Sequence, residues 1–327
     1  MATALYYLGV LALRRMLRRL THRSEITVLG FHRVLTLQQA ASTCSEPAIV
    51  ITLPSFSKIL QMLAQQYHVI SLSEFQRGNI PDGSRPSCLL TFDDAWLDTF
   101  ENAYPAVCGA GLRAAVFVPT GLIGTDKFFW AERLNLLWKN CGESCEAISI
   151  AIGLELGRTP VTSFEDSVSA LKRVSAIRRE SILCALEAQF GNGTQPSEND
   201  RFMSWEQLLA MSPVFEAASH TVNHVLLDFE EEAAAESELR ESRVMLEAKV
   251  GHPVRSLAYP SGSLDQRVRA WASKAGYQWA FTIRPGTFSG ADDQLTIPRL
   301  VLHEGNITSP WGKFSPAMFQ FRLTGWH

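Results

Sequence analysis

The chain has 327 residues, 46% apolar and 19% charged, the balance of a protein that folds around a core and far from that of a disordered segment. Its 30 Lys and Arg residues against 33 Asp and Glu leave a formal net charge of -3, which offers no basic face for nucleic acid. The length suits one large domain or two ordinary ones.

The chain opens on an apolar run, Ala2 to Leu13, followed by Arg14, Arg15, Arg18, Arg19 and Arg23. A secretory signal carries its charge before the apolar stretch, and a membrane-spanning helix needs roughly 20 apolar residues. Residues 1–24 are therefore expected to form a peripheral contact with the inner face of a membrane or a helix packed on the domain. The six cysteines, Cys44, Cys88, Cys108, Cys141, Cys145 and Cys184, are scattered and read as unpaired thiols, which suits a cytoplasmic location.

From Glu25 short apolar runs alternate with helical stretches, the pattern of a parallel α/β architecture. Strands are predicted at Ile26–Gly30, Val69–Ser71, Cys88–Phe92, Ala114–Pro119, Val214–Ala218, Ser256–Tyr259 and Trp279–Thr282. Helices are predicted at Ser55–Gln66, with Phe56, Ile59, Leu60 and Leu63 on one face, and at about Glu230–Val250. Ser204 should cap a short helix over WEQL. Residues 122–200 form a mostly helical insertion, with helical stretches at 128–138 and 167–190 and a Gly/Asn/Ser/Pro-rich loop at 190–200. The domain proper is assigned to 25–305, with a tail over 306–327.

Three clusters fall just beyond the carboxyl ends of predicted strands, where parallel α/β barrels place their chemistry. The first is TFDDAW, in which Asp93 and Asp94 point to opposite sides of an extended chain, though a helix-capping pair has the same look. The second is SHTVNH, where a helical turn would bring His220 and His224 to one face and onto one metal ion. The third is LAYPSG, which alone is ordinary turn chemistry. His22, His68, His252 and His327 need only solvated structural roles, and Phe128, Phe129 and Trp130 are aromatic enough to stack on a sugar but equally suited to a core.

These motifs, in this order and at these intervals, resemble those of the NodB-type polysaccharide deacetylases. The likeness extends to GFHRV at 30–34, WEQL at 205–208 and the segment from Glu238 to AGY at 275–277; it excludes residues 1–24 and is weak over the insertion. It implies a distorted (β/α) barrel of about seven strands and a divalent metal held by Asp94, His220 and His224. Zinc is the default ion, with cobalt, nickel and other first-row metals compatible with the same ligands. It further implies that Asp93 is the catalytic base, that a backbone N–H around Tyr259 to Ser261 steadies an oxyanion, and that His303 is the candidate acid. Trp96, Tyr259, Pro260, Arg299 and His32 are then expected around the substrate, an acetylated carbohydrate.

The sequence departs from the family pattern at Ala95, where most relatives carry Gly, and at Ala258, where many carry an Arg that orients the base. Arg299, in IPRLVLH, is the candidate replacement. The expected activity is metal-dependent removal of N-acetyl groups from a carbohydrate. Two alternatives stay open: a carbohydrate-binding or scaffolding protein of the same fold, and a hydrolase of small amides or imides. Sequence does not fix the oligomeric state.

Overall fold

The computed structural model describes residues 25–81, 85–191 and 197–323. The expected membrane contact of residues 1–24 therefore lies outside the described residues, among which no helix is long and apolar enough to cross a membrane.

The strands are β1 (Ile26–Phe31), β2 (Arg33–Leu35), β3 (Val50–Thr52), β4 (His68–Ile70), β5 (Ser87–Phe92), β6 (Ala114–Val118), β7 (Phe215–Ser219), β8 (Ser256–Ala258), β9 (Trp279–Phe281) and β10 (Leu300–Val301). One sheet runs in the order β10-β1-β5-β6-β7-β8-β9, every pairing parallel, with β4 beside the start of β5. The segment leading into β10 draws the two edges together. Thr282 N donates to Ile297 O beside β9, and Leu302 N donates to Gly30 O beside β1. The sheet thus curls into a distorted barrel.

Strand alternation divides the core in two, because successive side chains leave a strand on opposite faces. Val28, Leu89, Ala115, Phe117, Ala218, Ala258, Phe281 and Ile297 pack with one another inside the curl. Their neighbours Leu29, Leu90, Val116, Leu257 and Ala280 face outward onto helices that include Leu53–Gln66 and Glu232–Val250. Small residues at 115, 218 and 258 keep the interior narrow, and Thr91 and Asp93 continue the inward series that begins at Leu89. Asp93 is thereby aimed at the interior by strand periodicity alone.

All seven predicted strands are present, within two residues at each end. The short strands β2, β3 and β10 add to those expected. The predicted helical stretch 167–190 is two helices, Phe164–Leu171 and Ala176–Phe190, the second capped by Ser175. They pack with Trp130–Lys139 and Cys145–Glu155 around a separate apolar cluster of Leu134, Ile148, Ile152, Leu171, Ile182 and Leu183. Cys141 and Cys145 are joined in a disulfide, contrary to the expectation of free thiols, and this removes the support those thiols gave for a reducing compartment. Cys44, Cys88, Cys108 and Cys184 are unpaired.

Candidate active site

Asp93 and Asp94 leave the end of β5 on different errands. Asp93 is met by Arg299 in a two-pronged ion pair, Nη1 to Oδ1 at 2.6 Å and Nη2 to Oδ2 at 2.7 Å. Arg299 is fully buried, donates from Nε to the Thr282 carbonyl and lies over the ring of Phe117. It enters the same interior that position 258 faces with only a methyl group, so the guanidinium missing at Ala258 arrives from the segment before β10. Burial alone would raise the Asp93 pKa. The Arg299 charge, helped by His220 and by His32 at 3.7 Å, holds it below the usual carboxylate range.

Asp94 turns the other way. Its Oδ2 accepts from Trp96 Nε1 at 3.1 Å, while its Oδ1 is buried with no hydrogen-bond partner, 3.4 Å from Nε2 of both His220 and His224. Burial opposes ionisation here too, but the adjacent histidines keep Asp94 ionised.

The SHTVNH segment is not helical. It leaves β7 as a loop with Thr221 at φ 64° and His224 at φ 53°, and that path, not an i to i+4 helical face, brings the two rings to 4.7 Å between centroids. The loop is held from two sides. Thr120 and Gly121 donate to the carbonyls of Thr221 and Val222, and the Glu238 carboxylate accepts from the N–H groups of Val222 and Asn223. A Cβ on Gly121 would sit 2.7 Å from Val222, so this close approach requires glycine. His220 Nδ1 donates to the Ala258 carbonyl at 2.7 Å, which leaves Nε2 as its free lone pair. Burial pushes His224 down to about 3, so it is a neutral imidazole at ordinary pH.

The ligand atoms of Asp94, His220 and His224 lie within 4.8 Å of one another. An ion about 2 Å from each ligand in tetrahedral geometry sets ligand atoms about 3.3 Å apart. The 3.4 Å gaps and the orphaned Oδ1 fit such an ion.

The remaining expected residues divide. His32 and Arg299 adjoin Asp93. His303 follows β10 and is near enough for its charge to interact with that of His32; burial first, and then Arg322, lower its pKa. Trp96, expected to wall the sugar, is 1% exposed and packs against Phe129 and Phe202, so its part is to hold Asp94. Phe129 is likewise buried, its ring edge-on to His224. Tyr259 is buried with its hydroxyl bonded to the Leu295 carbonyl, and its N–H donates to Phe281, while Pro260 has no N–H. Ser261 N–H is the donor left over in the expected stretch.

Backbone strain marks the same places. Among the described residues the five non-glycine residues with left-handed φ are Asp94, Ala95, Thr221, His224 and Ser261, all within the three motifs. Such residues cost about 1–3 kcal/mol each and gather where function over-determines the chain. Ala95 at φ 53° shows why glycine would be easier there.

Fold and side chains together define a parallel α/β barrel with an Asp–His–His cluster of metal-binding geometry and an ionised Asp beside it, at the carboxyl ends of its strands. The polysaccharide deacetylase family model matches residues 185–280, which include both histidines and LAYPSG. No curated protein matches the sequence. Among solved structures, the chain is similar to the Streptococcus pyogenes deacetylase PplD in complex with acetate, at 18% identity and TM-score 0.56 over 89% of this chain and 99% of that one. It is similar to IcaB from Ammonifex degensii at 17% identity and TM-score 0.57, over 93% and 97% of the two chains. The BpsB deacetylase domain from Bordetella bronchiseptica aligns at 18% identity and TM-score 0.53, over 85% and 96%. The family model thus matches one segment of the chain, and the solved structures share its fold.

Proposed function

We propose that this chain is a metal-dependent hydrolase that removes N-acetyl groups from a carbohydrate. The observation that carries the reading is the juxtaposition of a buried Asp93, kept ionised by Arg299, with a neighbouring Asp94–His220–His224 cluster whose Oδ1 has no partner. Zinc is the ion this donor set suits first. When bound, a divalent ion supplies Lewis-acid chemistry, acidifying a water and polarising the acetyl carbonyl.

The chain's own residues supply the rest. Asp93 takes a proton as the water oxygen attacks the acetyl carbon; each carboxylate oxygen has two lone pairs, so Arg299 leaves room for that proton. The Ser261 N–H is the backbone donor for the developing oxyanion. The departing amine needs a proton as the C–N bond breaks, and His303 is its candidate source. A non-catalytic reading draws on the missing Arg at 258; Arg299 answers it by supplying the ion pair from elsewhere.

The test is acetate release from N-acetylated glucosamine oligosaccharides. Asp93→Asn should abolish it while metal content is kept; equal release by wild type and variant would sink the assignment. In Arg299→Gln the Asp93 carboxyl loses the charge that holds its pKa down. The acid limb of the pH–rate profile should therefore move to higher pH, with activity lost at pH values where wild type still works.

A further inference from the structure

A cavity of about 1160 Å³ lies between the insertion and the barrel, walled by the helices Trp130–Lys139, Ala176–Phe190 and Glu232–Val250 and by Val222, Asn223 and Val225. It abuts the candidate site. Val222, Asn223 and Val225 line it on either side of His224, and Phe129, also on its wall, has its ring centroid 4.7 Å from that of His224.

One wall residue stands apart. Arg179, on the Ala176–Phe190 helix, is 3% exposed, yet its Nη1 is buried without a hydrogen-bond partner among the described residues. Its guanidinium carbon lies 4.8 Å from the ring centroid of Trp130, which offsets only part of the cost of burying a charge. The acids around it are otherwise engaged. Glu230 accepts from the Ala176 N–H, Glu180 and Glu187 clasp Arg133, and Glu238 clamps the histidine loop. None of them forms an ion pair with Arg179 among the described residues. A buried guanidinium with unclaimed donors, facing a cavity beside a hydrolytic centre, is a site for an anion.

We propose that Arg179 receives an anionic group of the acetylated sugar, a phosphate ester or a carboxylate, and so selects charged substrates over neutral ones. The substrate half of this proposal rests on the deacetylase reading; the binding half does not. Arg179 is a specificity residue beside the centre, near enough for its charge to interact with that of His224, and its loss should register by substrate.

The experiment compares metal-loaded wild type, Arg179→Gln and Arg179→Lys on three substrates: neutral N-acetylglucosamine oligosaccharides, N-acetylglucosamine 1-phosphate, and an N-acetylated disaccharide carrying a glucuronate. Arg179→Gln should lose about 10–100-fold in kcat/KM on the preferred anionic substrate and stay within about 2-fold on the neutral one, with Arg179→Lys recovering part. Which anionic arm falls decides between phosphate and carboxylate. Equal loss on all substrates, or loss on none, overturns the proposal. Calorimetry with inorganic phosphate and with glucuronate tests binding without turnover. At least one should bind wild type, persist in His220→Ala and weaken about 10-fold or more in Arg179→Gln. Binding lost only in His220→Ala, or absent from wild type, overturns it. If that binding pattern holds but no substrate releases acetate, the deacetylase reading fails and the anion site stands.

Discussion

Two buried polar clusters meet at Trp96, and they are finished to different degrees. Behind its ring, Arg33 lies 4.2 Å from the centroid and is satisfied on every side: Nε to Asp98, Nη1 to Asp200 and Ser45, Nη2 to the Asn199 carbonyl. Glu132, on an insertion helix, accepts from Ser45, so this cluster pins the insertion to the barrel. At the other end the Trp96 Nε1 holds Asp94, whose cluster keeps Oδ1 and the Nδ1 of His224 buried and unbonded. A buried polar atom without a partner costs about 1–3 kcal/mol, so a closed cluster is architecture and an open one is a seat for something absent from the chain.

If that contrast is right, damage to the two sides should separate. Arg33→Met strands two buried carboxylates and should cost about 3–5 kcal/mol in denaturant unfolding, while folded molecules retain their metal. Loss of metal with no loss of stability would erase the distinction. Trp96→Phe keeps the aromatic packing but removes the donor to Asp94; metal affinity should fall about 10–100-fold in a competition titration, with little change in melting temperature. Glu132 gives the smallest effect. Burial raises its pKa to about 7, so its folded value lies above the ordinary one and ionisation opposes folding as pH rises toward and through 7. Glu132→Gln should therefore raise the melting temperature at pH 8 by several degrees and by much less at pH 5.

Much of the site was legible because each motif follows a strand that shows itself by apolar runs, and because Asp93 continues the inward alternation of Leu89 and Thr91. The path of SHTVNH was not. A spacing of four suits a helix, and the clamp that imposes a left-handed loop, Glu238 with Gly121, is scattered along the chain. Trp96 was placed in the motif but not oriented, since its burial depends on Phe129 and Phe202, brought to it by the insertion. The Arg33 network joins residues as far apart as 33 and 200, and no local pattern announces it. Arg179 lies in a helix whose period marks a buried face without telling which buried charge lacks a partner.

The most direct test is metal content by mass spectrometry on wild type, Asp94→Asn and Asp200→Asn purified side by side. About one ion per chain in wild type, lost in Asp94→Asn and kept in folded Asp200→Asn, is what an open and a closed cluster require. An ion retained in Asp94→Asn, or none in wild type, would contradict the assignment of the open cluster as the metal seat.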